Sequence, residues 1–170
     1  MVSIVDNYLD QNVFNELQTF ICGAEFPWYY NPSIDYADED ISKFQFVHIF
    51  YVNSPASQYI ENLTPIIDTI DPLQIQRIKA NLLVRTPNIV ENSLHTDLDI
   101  LSEEKQKQWK TSIFYMNTNN GYTKFEDGTK VESVANRLVT FSTNMKHCGT
   151  SCTDENTRIV INFNYFGKDL

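Results

Sequence analysis

Three residues of this chain have the types and the spacing needed to bind one metal ion. His95 and Asp97 are separated by a single residue, and in an extended strand alternate side chains point to the same side of the backbone. His147 supplies a third, distal donor. Two histidines and one carboxylate leave adjacent coordination positions open for other ligands, which is the donor geometry of non-haem Fe(II) oxygenases. The pattern predicts a catalytic metal site formed by His95, Asp97 and His147.

The predicted strand near the C-terminus carries an arginine and two asparagines on one face. Period-two alternation places Arg158, Asn162 and Asn164 on the same side, whereas the opposite side is apolar and contains Ile159, Ile161, Phe163 and Tyr165. Such a polar face is typical either of a cavity wall or of a surface strand. A planar guanidinium binds a carboxylate through two parallel hydrogen bonds, so Arg158 is a candidate for binding an anionic ligand.

The order and approximate spacing of His95, Asp97, His147 and Arg158 resemble those of the 2-oxoglutarate and Fe(II)-dependent dioxygenases. Two intervening segments, TSIFYMNTNNGYTKFEDG and VESVANRLVTF, are similar to strands of the prolyl-4-hydroxylase-like branch of that superfamily. The resemblance covers residues 78–166. It implies a mainly β fold with flanking α-helices, organised as a double-stranded β-helix, which is also called a cupin-like jelly roll.

The resemblance also implies a role for each candidate residue. Arg158 would bind the distal carboxylate of 2-oxoglutarate, the Tyr115 hydroxyl would help, and Asn162 would face the same cofactor-binding cavity. Arg85 lies near the position of a cosubstrate-binding tyrosine in the family, so it is either a cosubstrate or substrate contact or a surface arginine. The implied reaction is substrate hydroxylation by O2, coupled to decarboxylation of 2-oxoglutarate to succinate, with Fe(II) as the metal and ascorbate as an optional reductant.

Two other classes of function remain open at this point. A cupin-like metal-dependent isomerase or hydrolase would use the metal site without needing Arg158, and a non-catalytic jelly-roll ligand-binding protein would need neither. The substrate is also open, because one fold hosts many chemistries. A prolyl residue in a peptide or protein is the first expectation, and free amino acids, other metabolites and nucleobases are alternatives. Recognition would come from the predicted loops 25–42, 86–94 and 98–110.

The length and the 42% hydrophobic content predict a single domain over residues 1–170. The resemblance implies a catalytic core at 78–166, with a supporting region and possible lid at 1–77. Helices are expected at 9–21 and from 54 to about 71, the second broken at Pro65. Strands are expected at 43–52, 75–85, 111–117, 122–126, 129–133, 138–142 and 158–166. Three aromatic residues of the loop 25–42 are candidates for a lid or for substrate contacts: Trp28, Tyr29 and Tyr30. His48 is interpreted as a hydrogen-bonded core residue without a metal role.

Charge and cysteine content limit the partners and the compartment. The net charge of −9 argues against binding to a nucleic acid polymer or to an anionic membrane, although a nucleobase remains possible as a small substrate. No segment resembles a signal peptide or reaches the length of a membrane span. Three cysteines, Cys22, Cys148 and Cys152, lack the paired spacing of a disulfide framework, which favours a reduced, cytoplasmic protein.

Overall fold

The computed structural model describes residues 1–34 and 43–167, which form two antiparallel β-sheets with helices on one side. Part of the predicted loop 25–42 therefore lies outside the described residues. The helices are α1 (Gln11–Ile21), a 3-10 helix (Gln58–Leu63), α2 (Thr64–Ile70) and α3 (Glu103–Gln106). The strands are β1 (Ser3–Val5), β2 (Tyr29–Asn31), β3 (Gln45–Val52), β4 (Gln74–Val84), β5 (Trp109–Tyr115), β6 (Tyr122–Phe125), β7 (Lys130–Glu132), β8 (Arg137–Ser142), β9 (His147–Gly149) and β10 (Thr157–Phe166).

The strand order confirms the predicted double-stranded β-helix. The larger sheet has the order β1-β8-β5-β10-β4-β3-β2, and the smaller sheet has the order β7-β6-β9. The C-terminal strand β10 lies between β5 and β4, so residues far apart in the sequence become neighbours at the centre of the larger sheet. The edge strands β1 and β2 were not predicted from the sequence; each has only three residues, too few for a clear alternation.

The two faces of β10 divide the molecule into a hydrophobic core and a polar cavity. The apolar face packs in the larger hydrophobic cluster, through Ile159, Ile161, Phe163 and Tyr165. The opposite face contributes Arg158, Val160 and Asn162 to the wall of the cavity. Strand β4 has the same division, because Ile78 and Ala80 are buried in the core whereas the alternate residues Lys79, Asn81 and Leu83 line the cavity.

Helix α1 covers the core side of the larger sheet. Its amphipathic pattern buries Phe14, Leu17 and Ile21, and the Asp10 side chain caps the helix by accepting hydrogen bonds from the first backbone N–H groups. The second predicted helix is divided as expected, since the 3-10 helix ends at Leu63 and Pro65 lies in the first turn of α2. It begins at Gln58 rather than at Ser54.

His48 is a core residue of β3, as the sequence analysis proposed. Its Nδ1 lies 2.8 Å from the carbonyl oxygen of Pro27, and its Nε2 lies 2.8 Å from Oγ of Ser57. The ring also packs against Phe26 and Phe50, with centroid distances of 4.6 and 4.7 Å. Burial lowers the pKa of His48, so the neutral ring is favoured. Both ring nitrogens have protein partners, which leaves neither nitrogen for a metal.

Candidate metal and anion site

The three predicted metal ligands lie together at one end of the cavity. One donor atom from each of His95, Asp97 and His147 lies within 4.8 Å of the others, and Nε2 of His95 is 3.8 Å from Oδ1 of Asp97. His147 opens β9, and its backbone exchanges two hydrogen bonds of 3.0 Å with the backbone of His95. The expectation of a strand at 95–97 was wrong: His95 forms an isolated bridge, and Asp97 starts a turn.

Both imidazoles are oriented by backbone carbonyl groups. Nδ1 of His95 lies 3.1 Å from the carbonyl oxygen of Ser93, and Nδ1 of His147 lies 3.1 Å from that of Met145. A carbonyl oxygen can only accept, so each Nδ1 carries the proton and each Nε2 keeps a free lone pair. Burial lowers the pKa of His147, which favours its neutral form. The two rings therefore have the tautomer that metal coordination requires.

Asp97 is held as a carboxylate by residues of two neighbouring strands. Asn164 of β10 donates to Oδ2 at 2.9 Å, and Arg77 of β4 lies 3.2 Å from Oδ1. Arg77 also donates to the Asn164 side chain at 3.0 Å, which closes the network. Burial acts to raise the pKa of Asp97, but the electrostatic interactions with His147, Arg77 and His95 and the hydrogen bond from Asn164 outweigh it and hold the pKa well below its usual range. Asp97 is an ionised donor.

Arg158 projects from the start of β10 into the other end of the cavity and is only 3% exposed. Its Nε donates to Oγ of Ser133 at 2.8 Å, and its Nη2 donates to Oγ1 of Thr123 at 3.2 Å. Within residues 1–34 and 43–167, no carboxylate forms an ion pair with this guanidinium. Burial lowers the pKa of Arg158, as expected for a cation taken out of water. A buried cation without a counter-ion is a strong candidate for binding an anion.

Tyr115 lies behind Arg158 instead of lining the cavity. Its hydroxyl donates to Oγ1 of Thr123 at 2.8 Å, and its ring centroid is 5.7 Å from the guanidinium carbon. The residue is fully buried, and burial raises its pKa, so the hydroxyl stays protonated. This placement favours a positioning role for Tyr115, which acts on Arg158 through Thr123.

Two glycines leave room for the Arg158 side chain. A Cβ on Gly121 would lie 2.7 Å from Cδ of Arg158, and a Cβ on Gly149 would lie 3.2 Å from Nη1 of Arg158.

The remaining predicted site residues fall in different places. Asn162 lines the cavity, and its Oδ1 is buried without a hydrogen-bond partner. Arg85 follows the end of β4, is exposed and does not line the cavity, so its position does not support a cosubstrate role. Tyr29 and Tyr30 lie on the exposed edge strand β2, and Trp28 packs against Phe26 with their ring centroids 5.1 Å apart. None of these three aromatic residues lines the cavity described here.

Several residues in the cavity wall or next to it are functional candidates that the sequence patterns did not reveal. Thr123 and Ser133 hold Arg158, and Arg77 pairs with Asp97. Other polar residues of the wall are Gln45, Lys79, Asn81 and Asn92. Alternation along β4 indicated which of its residues share a face, but the pairing of β4 with β10, which shows that this face lines the site, is not visible in the sequence.

Comparison with solved structures supports the fold assignment. The chain is similar to the non-heme alpha-ketoglutarate-dependent epimerase SnoN of nogalamycin biosynthesis, with 12% identity and a TM-score of 0.68 over 98% of this chain and 78% of that one. It is also similar to a prolyl hydroxylase from Trichoplax adhaerens, solved with a peptide fragment of hypoxia-inducible factor, with 11% identity and a TM-score of 0.67 over 98% and 83% of the two chains. A prolyl-4-hydroxylase from Pseudomonas putida shares 14% identity with this chain, with a TM-score of 0.58 over 99% of this chain and 93% of that one.

No family model matches the sequence, and no curated protein matches it. The structural similarity therefore establishes the fold, which is that of the 2-oxoglutarate and Fe(II)-dependent oxygenases. In the described part of the chain, no helix has the length and apolar character needed to cross a bilayer.

Proposed function

We propose that this protein is an Fe(II) and 2-oxoglutarate-dependent dioxygenase that hydroxylates its substrate. One observation carries the proposal: a metal-donor triad and a buried, unpaired guanidinium share a single cavity. The triad alone fits many metal proteins. An arginine that is 3% exposed and has no carboxylate partner in the described part of the chain needs an additional explanation, and a dicarboxylate cosubstrate provides one.

The residues present fit the metal and the cosubstrate. His95, Asp97 and His147 would hold Fe(II), since they offer two imidazole nitrogens and one ionised carboxylate. When bound, Fe(II) and 2-oxoglutarate supply the oxidation: substrate, O2 and 2-oxoglutarate give hydroxylated substrate, succinate and CO2. Arg158 would bind the distal carboxylate of 2-oxoglutarate in two-point fashion. Ascorbate would act as a reductant that keeps the iron in its ferrous state.

The protein's contribution is to orient charged groups and to exclude water. Ser133 and Thr123 fix the guanidinium, so little side-chain freedom remains to be lost when an anion binds. The apolar side chains of Ile113 and Val160 lie in the same cavity wall as Arg158. A charge-assisted hydrogen bond is stronger in such a low-dielectric environment than in water.

We infer that hydroxylation is of the prolyl-hydroxylase type, with a small molecule or a peptide as the substrate. The similarity to two prolyl hydroxylases supports this inference. The fold alone does not determine the substrate or the reaction, since an epimerase is also among the similar structures. Cys22, Cys148 and Cys152 are free thiols, which supports a reducing, cytoplasmic environment.

The test is an anaerobic thermal-shift titration of the full chain with Mn(II) as a redox-inert substitute for Fe(II). Mn(II) should raise the melting temperature, and 2-oxoglutarate should raise it further only when Mn(II) is present, because a ligand that binds the folded state stabilises it. His95→Ala should abolish both effects. Stabilisation by Mn(II) without any response to 2-oxoglutarate would contradict the proposal and favour a cupin-like isomerase or hydrolase. Absence of any metal effect would favour a non-catalytic binding protein.

A further inference from the structure

A lysine in the cavity wall has no role in the proposed binding of metal and cosubstrate. Lys79 lies in the middle of β4, faces the cavity and is partly buried. Within the described residues, it forms neither an ion pair nor a side-chain hydrogen bond. Lysine side chains are seldom buried without a partner, because removing an ammonium group from water is costly. A free ammonium group in a cavity wall therefore indicates a missing anionic ligand.

A second unpartnered polar group lies opposite this lysine. Asn162 of β10 is the direct antiparallel partner of Lys79, and both side chains line the cavity. The Oδ1 atom of Asn162 is buried and is the only buried side-chain nitrogen or oxygen of the described residues that has no hydrogen-bond partner. A native structure satisfies nearly all such groups, so an exception in a cavity wall indicates a ligand contact. Lys79 offers only donors, which suit a carboxylate, whereas Oδ1 of Asn162 can only accept and suits a donor group, such as an amine, beside that carboxylate.

The charges of the cavity lead to the same conclusion. Among the described residues that line the cavity, Asp97 is the only carboxylate, and Arg77 already pairs with it. Arg158 and Lys79 add two cations that have no anionic partner among residues 1–34 and 43–167, although the chain as a whole has a net charge of −9. A divalent metal ion would make this cavity still more positive. The two carboxylates of one 2-oxoglutarate would not neutralise this charge, so the cavity has electrostatic capacity for one more anionic group.

The subsite is separated from the arginine along the sheet. Arg158 pairs with Leu83, whereas Asn162 pairs with Lys79, so the two cations lie four residues apart along the strands, or about 13 Å between backbone positions. Lys79 lies toward Asp97, since its neighbour on the same face of β4 is Arg77. The ammonium group is thus near the metal end, where the reacting part of a substrate must be placed.

We propose, on the basis of the proposed function, that Lys79 and Asn162 form a second subsite, in which Lys79 binds the carboxylate of the substrate and Oδ1 of Asn162 accepts a hydrogen bond from a donor group beside that carboxylate. The substrate is then a small carboxylic acid, such as a free amino acid, because its carboxylate must enter the cavity to reach a partly buried lysine. The pKa of Lys79 is lowered to about 8 by burial and by the charge of Arg77, against the opposing charge of Asp97, so the amine is still mainly protonated at neutral pH.

The experiment measures binding by calorimetry to the full chain loaded with Mn(II) and 2-oxoglutarate under anaerobic conditions. The probes are three amino acids, L-proline, L-alanine and L-leucine, each compared with its own amide, which has the same shape but no carboxylate. At least one acid should bind about tenfold more tightly than its amide, the effect expected of one charge-assisted contact. Lys79→Met should abolish this preference, and Lys79→Arg should retain most of it. Lys130→Met, which removes an exposed lysine of β7, should behave as the wild type.

Three outcomes would overturn the subsite. The first is a wild type that binds no acid more tightly than its amide. The second is a Lys79→Met variant with weakened binding of 2-oxoglutarate, which would make Lys79 a cosubstrate ligand. The third is tighter binding of the blocked peptide N-acetyl-Ala-Pro-Ala-amide, which has no carboxylate, than of every amino acid. Failure of the proposed function would look different, because 2-oxoglutarate would then not bind the Mn(II)-loaded wild type. In that case the comparison of acids with amides on protein loaded with Mn(II) alone decides the subsite.

Discussion

The two ends of the cavity differ in how their charges are balanced. At the metal end, Asp97 has Arg77 and Asn164 as partners, and both imidazoles are held by backbone carbonyl groups. Arg158 at the other end and Lys79 in the wall between have no anionic partner in the described structure. The metal end is therefore prepared by the protein itself, whereas these two cations become balanced only when anions bind. Substitutions at the two kinds of position should have different consequences.

The largest effect is expected for Asp97→Ala. This change removes one of three metal donors and leaves Arg77 and Asn164 without their shared partner. Because even changes to residues that only hydrogen-bond a metal ligand typically cost about 10–100-fold in metal affinity, we expect a loss of at least about 100-fold in Mn(II) affinity, measured by calorimetry. Asp99→Ala removes an exposed carboxylate two residues away and is the matched control. Equal Mn(II) affinity of Asp97→Ala and wild type would show that the triad is not the metal site.

Arg158→Met should have the next largest effect, and it should affect only the end of the cavity that binds 2-oxoglutarate. Mn(II) affinity should stay within about threefold of wild type, because Arg158 contacts none of the three donors. Affinity for 2-oxoglutarate should fall by roughly 30-fold to several thousandfold, corresponding to the 2–5 kcal/mol typical of truncating a buried charge pair. The control is Arg85→Met, which removes an exposed arginine outside the cavity. A cosubstrate defect in that control would restore the role first considered for Arg85.

A smaller effect is expected for Gly121→Ala, which leaves the arginine in place but displaces it. The new Cβ would lie 2.7 Å from both Cδ of Arg158 and the backbone oxygen of Ser151, so the side chain must move. We expect about a tenfold loss of 2-oxoglutarate affinity with unchanged Mn(II) affinity, since misplacement weakens a two-point contact. Gly128→Ala is the control: its Cβ would meet open space, although its φ of +88° makes it less stable by about 1 kcal/mol. Equal losses in both variants would indicate general destabilisation.

The sequence was sufficient to predict the part of the site that depends on local patterns. Alternation in β10 separated Arg158 and Asn162 from the apolar Ile159 and Ile161, and the structure shows this division. The type and spacing of the three donors identified the residues that the fold brings within 4.8 Å. The local conformation of Asp97 was predicted wrongly, because a turn, not a strand, presents it.

The supporting residues could not be predicted because they depend on contacts between distant segments. Thr123 and Ser133 are ordinary strand and loop residues until the fold places them beside Arg158. Lys79 becomes notable only when the register of β4 and β10 places it opposite Asn162. Register between strands that are far apart in sequence is set by packing of the whole sheet, which periodicity within one strand does not reveal.

Lys79→Met tests the unbalanced cation through stability alone, without any ligand. Burial lowers the pKa of Lys79 to about 8 from its ordinary value of 10.5, so the folded state binds the proton less tightly than the unfolded state does. Between about pH 8 and pH 10.5 the unfolded state binds more protons than the folded state, so the stability of the wild type rises with pH. Below about pH 8 both states are protonated, and the full cost of burying the charged amine remains. Lys79→Met should therefore stabilise the unliganded protein at pH 7, by on the order of 1–3 kcal/mol.

Urea denaturation at pH 7 and near pH 10 measures this effect, and the advantage of the variant should shrink at the higher pH. Lys130→Met should show no such gain, because Lys130 is an exposed lysine next to Glu91. A Lys79→Met variant that is less stable than wild type at pH 7 would mean that the ammonium group already has a stabilising partner. A more stable variant that has lost its preference for carboxylates would show that the fold retains Lys79 for binding, at a cost in stability.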